Sequence, residues 1–192
     1  SAVQAGCRVT AVEPGGAAML RTLGGRFGGW LSELHRARGV TAHYGVGVSA
    51  LEREGGTVRT VILTNGVRLE SDAVVVGIGV DPNVELAAAA GLRVANGIVV
   101  DAQGRTSDPH VWAAGDVSNQ PGFFGTRVRL ETFQNAAGQA DVAAAAILGG
   151  AGGHVQPCWF WSDQYDFNIQ AAGRIDDSLR LILRGDLEGD SF

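Results

Sequence analysis

The sequence predicts an α/β chain with a β-meander insert, followed by an α+β segment. Over the first 150 residues, short apolar runs that end in an acid or a glycine alternate with stretches of helical periodicity. Residues 46–69 alternate in polarity across two turns that contain glycine. Aromatic residues then crowd into 159–167, after the glycine-rich stretch 149–153. With 45% hydrophobic and 18% charged residues, the 192-residue chain has enough apolar sequence for a core.

The first half of the chain predicts a β-α-β unit followed by the meander. Residues 1–6 are expected to end a helix at Gly6, and residues 8–13 to form a buried strand before a turn at 14–16. A helix over 22–38 is predicted from four apolar side chains that share one face: Phe27, Trp30, Leu31 and Leu34. Four strands are predicted after it: 40–44, 46–53, 57–64 and 67–69.

The second half predicts shorter strands and one long helix. A second buried strand, at 73–76, precedes Gly77-Ile78-Gly79, and a short helix is expected near 83–90. An alanine-rich helix over 132–148 stops at the glycines of 149–153, which form the predicted domain boundary. Four further strands are predicted: 97–101, 110–113, 167–173 and 178–184.

The composition argues against several classes of protein. Fifteen basic and twenty acidic residues give a net charge of −5, which argues against a nucleic-acid partner. Cys7 and Cys158 lie far apart, so the sequence predicts no dithiol pair, metal site or disulfide framework, and a reducing, cytoplasmic location fits best. The apolar stretches near 73–80 and 142–151 are too short or too broken by glycine to span a bilayer.

Glu13 is the first candidate functional residue. An acid at the end of the second strand of a dinucleotide-binding unit accepts hydrogen bonds from ribose hydroxyls, although many strands simply end in a surface glutamate. The glycine fingerprint of such a unit lies roughly 20 residues before the acid. Only twelve residues precede Glu13, and G-x-G-x-x-G is absent from the sequence. Either Glu13 has no special role, or the chain begins inside a Rossmann unit whose first strand and phosphate loop are missing.

Two further segments carry polar groups where a ligand could use them. Asp116 follows the predicted strand 110–113 and Gly115. Its carboxylate either accepts hydrogen bonds from the sugar or ribitol hydroxyls of a ligand or caps the next segment of the chain. Thr132 is a natural N-cap, so the amides near Phe133 and Gln134 are expected to point outward. They either form a site for an anion or a carbonyl group or belong to an ordinary capped helix.

The aromatic cluster at 159–167 has two interpretations. Clustered aromatic side chains usually belong to a core, but an indole such as Trp161 can also flank a flat cofactor.

Taken together, these segments resemble the FAD-dependent pyridine-nucleotide oxidoreductases of the ferredoxin-reductase type, which include the putidaredoxin, rubredoxin and aromatic-dioxygenase reductases. The resemblance rests on four blocks in the family's order: V-V-V-G-I-G-V-D-P-N at 74–83, the run from N-G-I-V-V-D to A-A-G-D-V within 96–117, the run from R-L-E-T-F-Q-N-A to Q-A within 129–140, and W-F-W-S-D-Q-Y at 159–165. The last block is the most selective, and the similarity covers essentially the whole chain.

The resemblance implies cofactor roles for eight residues and no catalytic or metal-binding residue in this chain. Glu13 would hold the NADH ribose, and Gly77, Ile78 and Gly79 would form the loop beside the nicotinamide nucleotide. Asp116 would bind the ribitol or phosphate side of FAD. The amides near Phe133 and Gln134 would face the pyrimidine edge of the flavin, and Trp161 would flank the ring system.

The resemblance also implies domains and a function. Residues 1–84 would be a truncated NAD-binding domain, 85–150 the second half of an FAD-binding domain, and 151–192 the start of an interface domain. The implied activity passes electrons from NADH through FAD to a ferredoxin or rubredoxin. The Glu13 carboxylate, a like charge to the 2′-phosphate of NADPH, further predicts a preference for NADH. An arginine-bearing face is expected to dock that acceptor, with three candidates: Arg127, Arg129 and Arg174.

Other interpretations stay open. The same scaffold serves as an NADH oxidase or a nitrite reductase component, and a fragment that keeps the fold without a cofactor is the alternative outside enzymes. The chain by itself is expected to be inactive, to bind FAD and NADH weakly, and to self-associate through the open sheet edge beside residues 9–12.

Overall fold

A computed structural model describes residues 2–175 and 179–185. The described residues divide into two compact units. The first comprises 2–77 together with 175 and 179–185, and the second comprises 78–174.

The first unit opens with the predicted β-α-β arrangement. Strand β1 (Val9–Glu13) and strand β2 (Val40–Tyr44) pair in parallel, with Val9 opposite Val40 and Glu13 opposite Tyr44. Helix α1 (Leu20–Ala37) connects them and has a kink at Gly24, whose φ of 74° is non-helical. The predicted apolar face is present, with Leu31 fully buried. Strand β1 was expected to be buried, but its residues are half-buried or exposed because it pairs with β2 alone among the described strands.

The meander has the predicted order and turns. Strands β3 (Val48–Glu54), β4 (Thr57–Leu63) and β5 (Arg68–Glu70) form one antiparallel sheet. Gly55 and Gly56 join β3 to β4 with φ values of 58° and 85°, the double positive φ that a two-residue type I′ turn requires. Buried Val61 and Leu63 make β4 the apolar centre of this sheet.

The predicted buried strand at 73–76 is wrong. These residues form no strand, and the exposed fraction of Val75 is 96%. Hydrophobicity alone does not make a strand, since a ladder needs a neighbour to receive its hydrogen bonds. No strand within 2–175 and 179–185 pairs with this segment.

The second unit holds a small sheet, two helices and a hairpin. Short helix α2 (Glu85–Ala89) precedes a three-stranded sheet of β6 (Ile98–Val99), β7 (Ser118–Pro121) and β8 (Arg127–Val128), in that order. Helix α3 (Phe133–Ile147) follows, one residue shorter at each end than predicted. Strands β9 (Trp159–Gln164) and β10 (Phe167–Ala172) then form an antiparallel hairpin.

The predicted strand at 110–113 is also wrong. That stretch has a single bridge, between Arg105 and Trp112, and the strand β7 begins later, at Ser118. Hydropathy points to the wrong segment because the buried residues of β7 are polar: Ser118, Asn119 and Gln120. Asp116 therefore lies in a turn that enters a strand, and not at the end of one.

The two ends of the chain depart from the predictions as well. Residues 2–6 form turns and not the tail of a helix, although Gly6 has the expected positive φ of 82°. Residues 179–184 are not a strand, and residue 178 of that prediction lies outside the described residues. No helix in the described part of the chain is both long and apolar enough to cross a membrane.

Candidate functional site

Glu13 ends β1 with its carboxylate folded onto the following turn. Its Oε1 accepts a hydrogen bond from the amide of Gly15 at 2.6 Å. A Cβ on residue 15 would lie 2.9 Å from the same oxygen, so the glycine is what permits this close contact. The amide of Gly45 donates to the carbonyl oxygens of both Glu13 and Gly15 at 2.9 Å, which ties the turn to the end of β2. The acid thus lies at the carboxyl edge of two parallel strands, where open α/β sheets bind ligands.

The Gly77-Ile78-Gly79 segment is an open loop. Gly77 and Gly79 have no heavy atom within 4 Å of the positions where a Cβ would lie, and Gly79 has a φ of 95°. The exposed fraction of Ile78 is 85%. Gly77 belongs to the first unit, and Ile78 and Gly79 belong to the second.

Asp116 presents an exposed carboxylate in the turn before β7. Gly115 precedes it with a φ of 82°, and a Cβ there would lie 3.5 Å from Cβ of Ala136 on α3. No donor in the described residues bonds the Asp116 carboxylate, although its backbone carbonyl accepts from Arg129 at 3.3 Å. A carboxylate with free acceptor sites suits a hydroxyl-bearing ligand.

The start of α3 lies near this turn and leaves backbone amides open. Thr132 caps the helix as predicted, because its Oγ1 accepts from the amide of Asn135 at 3.3 Å. A helix has no internal acceptor for its first amides, which leaves those of Phe133 and Gln134 available. Beside them, Oε1 of Gln134 is buried and lacks a hydrogen-bond partner among the described residues.

Beneath this surface lies a buried polar cluster that the sequence analysis did not identify. We call it the amide cluster; it comprises Gln120, Asn135, Gln139 and His154. Oδ1 of Asn135 accepts from Gln120 at 2.8 Å and lies 3.1 Å from Nε2 of His154, while Nε2 of Gln139 donates to Oε1 of Gln120. Polar residues four apart on α3, at 135 and 139, were the available signal, but the side that they face depends on what packs there.

Burial lowers the pKa of His154, because a buried imidazolium would lose its hydration. Nδ2 of Asn135 donates to the carbonyl of Leu130 at 3.1 Å, which identifies its Oδ1 as the acceptor. Nε2 of His154 therefore carries the proton in this contact.

Two of the three predicted docking arginines contact interior groups. Arg127 donates to the carbonyl oxygens of Val100 and Asn119, and burial lowers the pKa of its guanidinium. Arg129 has a side chain only 12% exposed and forms an ion pair with Glu131 at 2.7 Å. Its guanidinium also donates to the carbonyl of Val80 at 3.4 Å. These contacts favour a structural role for Arg129, whereas Arg127 is exposed and stays a candidate for the basic docking face.

Trp161 lies on the exposed side of β9. Its ring stacks on that of Trp159 with centroids 5.3 Å apart, and its exposed fraction is 44%. The aromatic cluster is therefore not wholly core, and this pair offers an open flat surface to an aromatic ligand.

The groups of the second unit match the chemistry of a flavin nucleotide. A flavin has a polyol chain of hydroxyl donors, an aromatic ring, and a pyrimidine edge with two carbonyl acceptors and one N–H donor. The unit offers a free carboxylate at Asp116, exposed indoles, open amides at the start of α3 and the unpartnered carbonyl of Gln134. Each type of group on the ligand has a counterpart of suitable chemistry.

The fold is of the Rossmann type that binds dinucleotides. The chain belongs to the pyridine nucleotide-disulphide oxidoreductase family, whose model matches residues 1–140. A reductase C-terminal domain model matches residues 159–192.

Curated relatives have similar sequences over nearly the whole chain. It is 41% identical over 187 residues to the ferredoxin–NAD(+) reductase component of the anthranilate 1,2-dioxygenase system of Burkholderia cepacia, covering 97% of this chain and 46% of that protein. It is 40% identical to rhodocoxin reductase of Rhodococcus erythropolis, covering 97% and 44%. The chain thus spans about half the length of the curated relatives that it matches.

Solved structures have the same fold. A ferredoxin reductase from Rhodopseudomonas palustris matches with a TM-score of 0.90 and 40% identity, over 97% of this chain and 46% of that one. Putidaredoxin reductase, in its covalent complex with putidaredoxin, matches with a TM-score of 0.90 and 35% identity, over 97% and 45%.

Proposed function

We propose that this chain is part of an NADH-dependent FAD reductase that passes electrons to a ferredoxin or rubredoxin in the cytoplasm. The observation that carries the proposal is the unpartnered Asp116 carboxylate beside the open amides of α3 in a chain of this family. The names of the relatives support it, since they include a ferredoxin–NAD(+) reductase component and a rubredoxin–NAD(+) reductase.

In this proposal the second unit holds FAD. The Asp116 carboxylate accepts from ribitol hydroxyls or lies on the phosphate side. The amides of Phe133 and Gln134 donate to the pyrimidine edge, where a positive helix end stabilises developing negative charge. Trp161 flanks the ring and excludes water from one side. When bound, the flavin supplies the chemistry by accepting a hydride and releasing electrons one at a time.

Glu13 and the loop 77–79 are the residues proposed to bind NADH. Glu13 has one carboxylate oxygen bonded to Gly15, which leaves the other to accept from a ribose hydroxyl. Gly77, Ile78 and Gly79 border the nicotinamide nucleotide, where the absence of side chains at the two glycines lets the backbone approach it. Residues 1–84, 85–150 and 151–192 then correspond to parts of the NAD, FAD and interface domains.

The decisive experiment uses the full-length protein that contains this chain. We expect a yellow protein whose flavin absorbance bleaches anaerobically with NADH, and ferredoxin-dependent reduction of cytochrome c. Asp116→Ala should weaken FAD binding by about 10-fold or more, since a charge-assisted hydrogen bond is lost. Asp141→Ala, an exposed acid on the far part of α3, is the matched control. A colourless wild-type protein, or equal FAD affinity in both variants, would contradict the proposal.

A further inference from the structure

Gln139 links the amide cluster to the turn that carries Asp116. The residue is buried, with an exposed fraction of 3%. Its Oε1 accepts from the amide of Gly115 at 2.7 Å and lies 2.8 Å from Oγ of Ser118. The turn 115–118 is therefore held at both ends by one oxygen atom of a helix residue.

The cluster fixes the orientation of that oxygen. Nε2 of Gln139 donates to Oε1 of Gln120, whose own Nε2 donates to Asn135. Rotating the Gln139 amide by half a turn would set its NH2 group against the amide of Gly115 and its oxygen against Oε1 of Gln120. Both contacts would be repulsive inside a buried site, so only one orientation satisfies every group.

Asn135 extends this link to the start of α3. The backbone amide of Asn135 donates to Oγ1 of the capping Thr132, and its Nδ2 lies 3.4 Å from Oε1 of Gln139. The Gly115 turn and the first turn of α3 thus share one set of hydrogen bonds. These are the two elements that the proposed function assigns to the two ends of the flavin.

We propose that Gln139 is a positioning residue for FAD: it holds the backbone turn that carries Asp116 against α3, near the open amides of that helix, without touching the ligand. This inference rests on the proposed function. A ligand that bonds both elements gains affinity when their spacing is held in advance. Loss of Gln139 leaves the amide of Gly115 without its acceptor and removes this link between the turn and α3, while the bond from the Ser118 amide to the carbonyl of Gly115 remains.

The test compares Gln139→Met with Gln120→Met. Both residues are buried in the same cluster and both variants lose amide hydrogen bonds, but only Gln139 contacts Gly115. The first measurement is hydrogen exchange in the full-length protein without added FAD at Gly115, relative to the core amide of Val100, which donates to Asn119. We expect Gln139→Met to speed exchange at Gly115 about 10-fold more than at Val100, and Gln120→Met to speed both equally.

The second measurement is the FAD dissociation constant of the full-length protein. We expect Gln139→Met to weaken binding about 10- to 100-fold and Gln120→Met less than about threefold. Gln139→Glu is a second variant: when its buried carboxyl is protonated, it keeps an oxygen facing Gly115 and a donor facing Oε1 of Gln120, so it should bind FAD more tightly than Gln139→Met. Equal losses in Gln139→Met and Gln120→Met would reduce Gln139 to a stabilising residue and overturn the proposal. A wild-type protein without affinity for FAD would instead contradict the proposed function, whatever the hydrogen-exchange rate at Gly115.

Discussion

At the scale of single residues, the site depends on how each polar side chain is already used. One carboxylate oxygen of Glu13 accepts from Gly15, and Arg129 donates to carbonyl groups and pairs with Glu131. The carboxylate of Asp116 has no donor among the described residues. A residue type by itself does not distinguish these cases. The hydrogen bonds decide that Asp116 is open to a ligand and that Arg129 is not an exposed charge.

The first residue-scale prediction concerns the choice of nicotinamide cofactor. We expect the full-length protein to prefer NADH over NADPH, because the Glu13 carboxylate would meet the 2′-phosphate as a like charge. Glu13→Gln removes the charge and keeps an acceptor for Gly15, so it should lower the ratio of kcat/KM with NADH to kcat/KM with NADPH by about 10-fold. Steady-state kcat/KM with both cofactors measures this. Equal values for the two cofactors in the unmodified protein would refute the assignment.

The second residue-scale prediction concerns stability at acidic pH. The pKa of His154 is lowered by burial from its ordinary 6.5, so the folded state binds fewer protons than the unfolded state just below pH 6.5. Its contribution to stability is complete above pH 6.5 and is lost as the pH falls toward the folded pKa. For one proton, the free energy of unfolding can change by at most about 1.4 kcal/mol per pH unit.

His154→Gln keeps a donor for Asn135 and removes the titration. The free energy of unfolding, measured with urea between pH 7 and pH 5, should therefore fall less steeply with decreasing pH in this variant than in the unmodified protein. A residual slope is expected from His35, whose pKa burial also lowers. Identical pH profiles with and without His154 would show that the imidazole is not desolvated in the folded protein.

At the scale of elements, close packing of His154 against α3 places its imidazole in the amide cluster. The ring of His154 lies against the helix at Gly138, where a Cβ would be 2.3 Å from Cε1 of the imidazole. The backbone amide of His154 donates to the carbonyl of Ala102 at 2.7 Å, which holds the segment after α3 in place. A glycine that is unfavourable for helix propensity is thus required for the close approach.

The element-scale prediction follows from this contact. Gly138→Ala should lower the free energy of unfolding by about 1–3 kcal/mol, since overpacking displaces His154 and outweighs the gain in helix propensity. Gly29→Ala in α1 is the control, because its Cβ would meet nothing within 4 Å. That substitution should raise stability by about 0.5–1 kcal/mol. Chemical denaturation measures both, and a stabilising Gly138→Ala would mean that the imidazole does not pack there.

At the scale of the whole molecule, much apolar surface is exposed. Val75, Val76, Ile78 and Val80 lie within six residues and are all exposed. Strand β1 pairs with β2 alone among the described strands, which leaves one edge open to another chain. Both features favour association of this chain with further protein surface.

The whole-molecule prediction concerns the 192-residue chain by itself. We expect it to bind FAD weakly, since dinucleotide affinity depends heavily on a phosphate loop and G-x-G-x-x-G is absent from its sequence. We also expect it to self-associate. Flavin fluorescence during titration and sedimentation at several concentrations measure the two properties. Saturable micromolar binding of FAD by a monomer would contradict both expectations.

The sequence by itself determined the elements whose signals are local. The turn at Gly55-Gly56, the periodicity of α1, the Thr132 cap and the meander were all predicted, because turn geometry, capping and amphipathicity involve residues close along the chain. The four motif blocks were also sufficient to predict the family that the comparisons identified.

Only the tertiary structure decided which segments pair and which polar groups are satisfied. The apolar stretch 73–76 is not a strand because no described neighbour pairs with it. Polar β7 is buried because its side chains are satisfied: Ser118 and Gln120 by the amide cluster, and Asn119 by Ala95 and Arg127. Strand pairing and burial are set by contacts between residues far apart in sequence, and hydropathy does not record them. For the same reason, the link from Gln139 to the turn of Asp116, 24 residues apart at its hydrogen bond, is visible only in the folded chain.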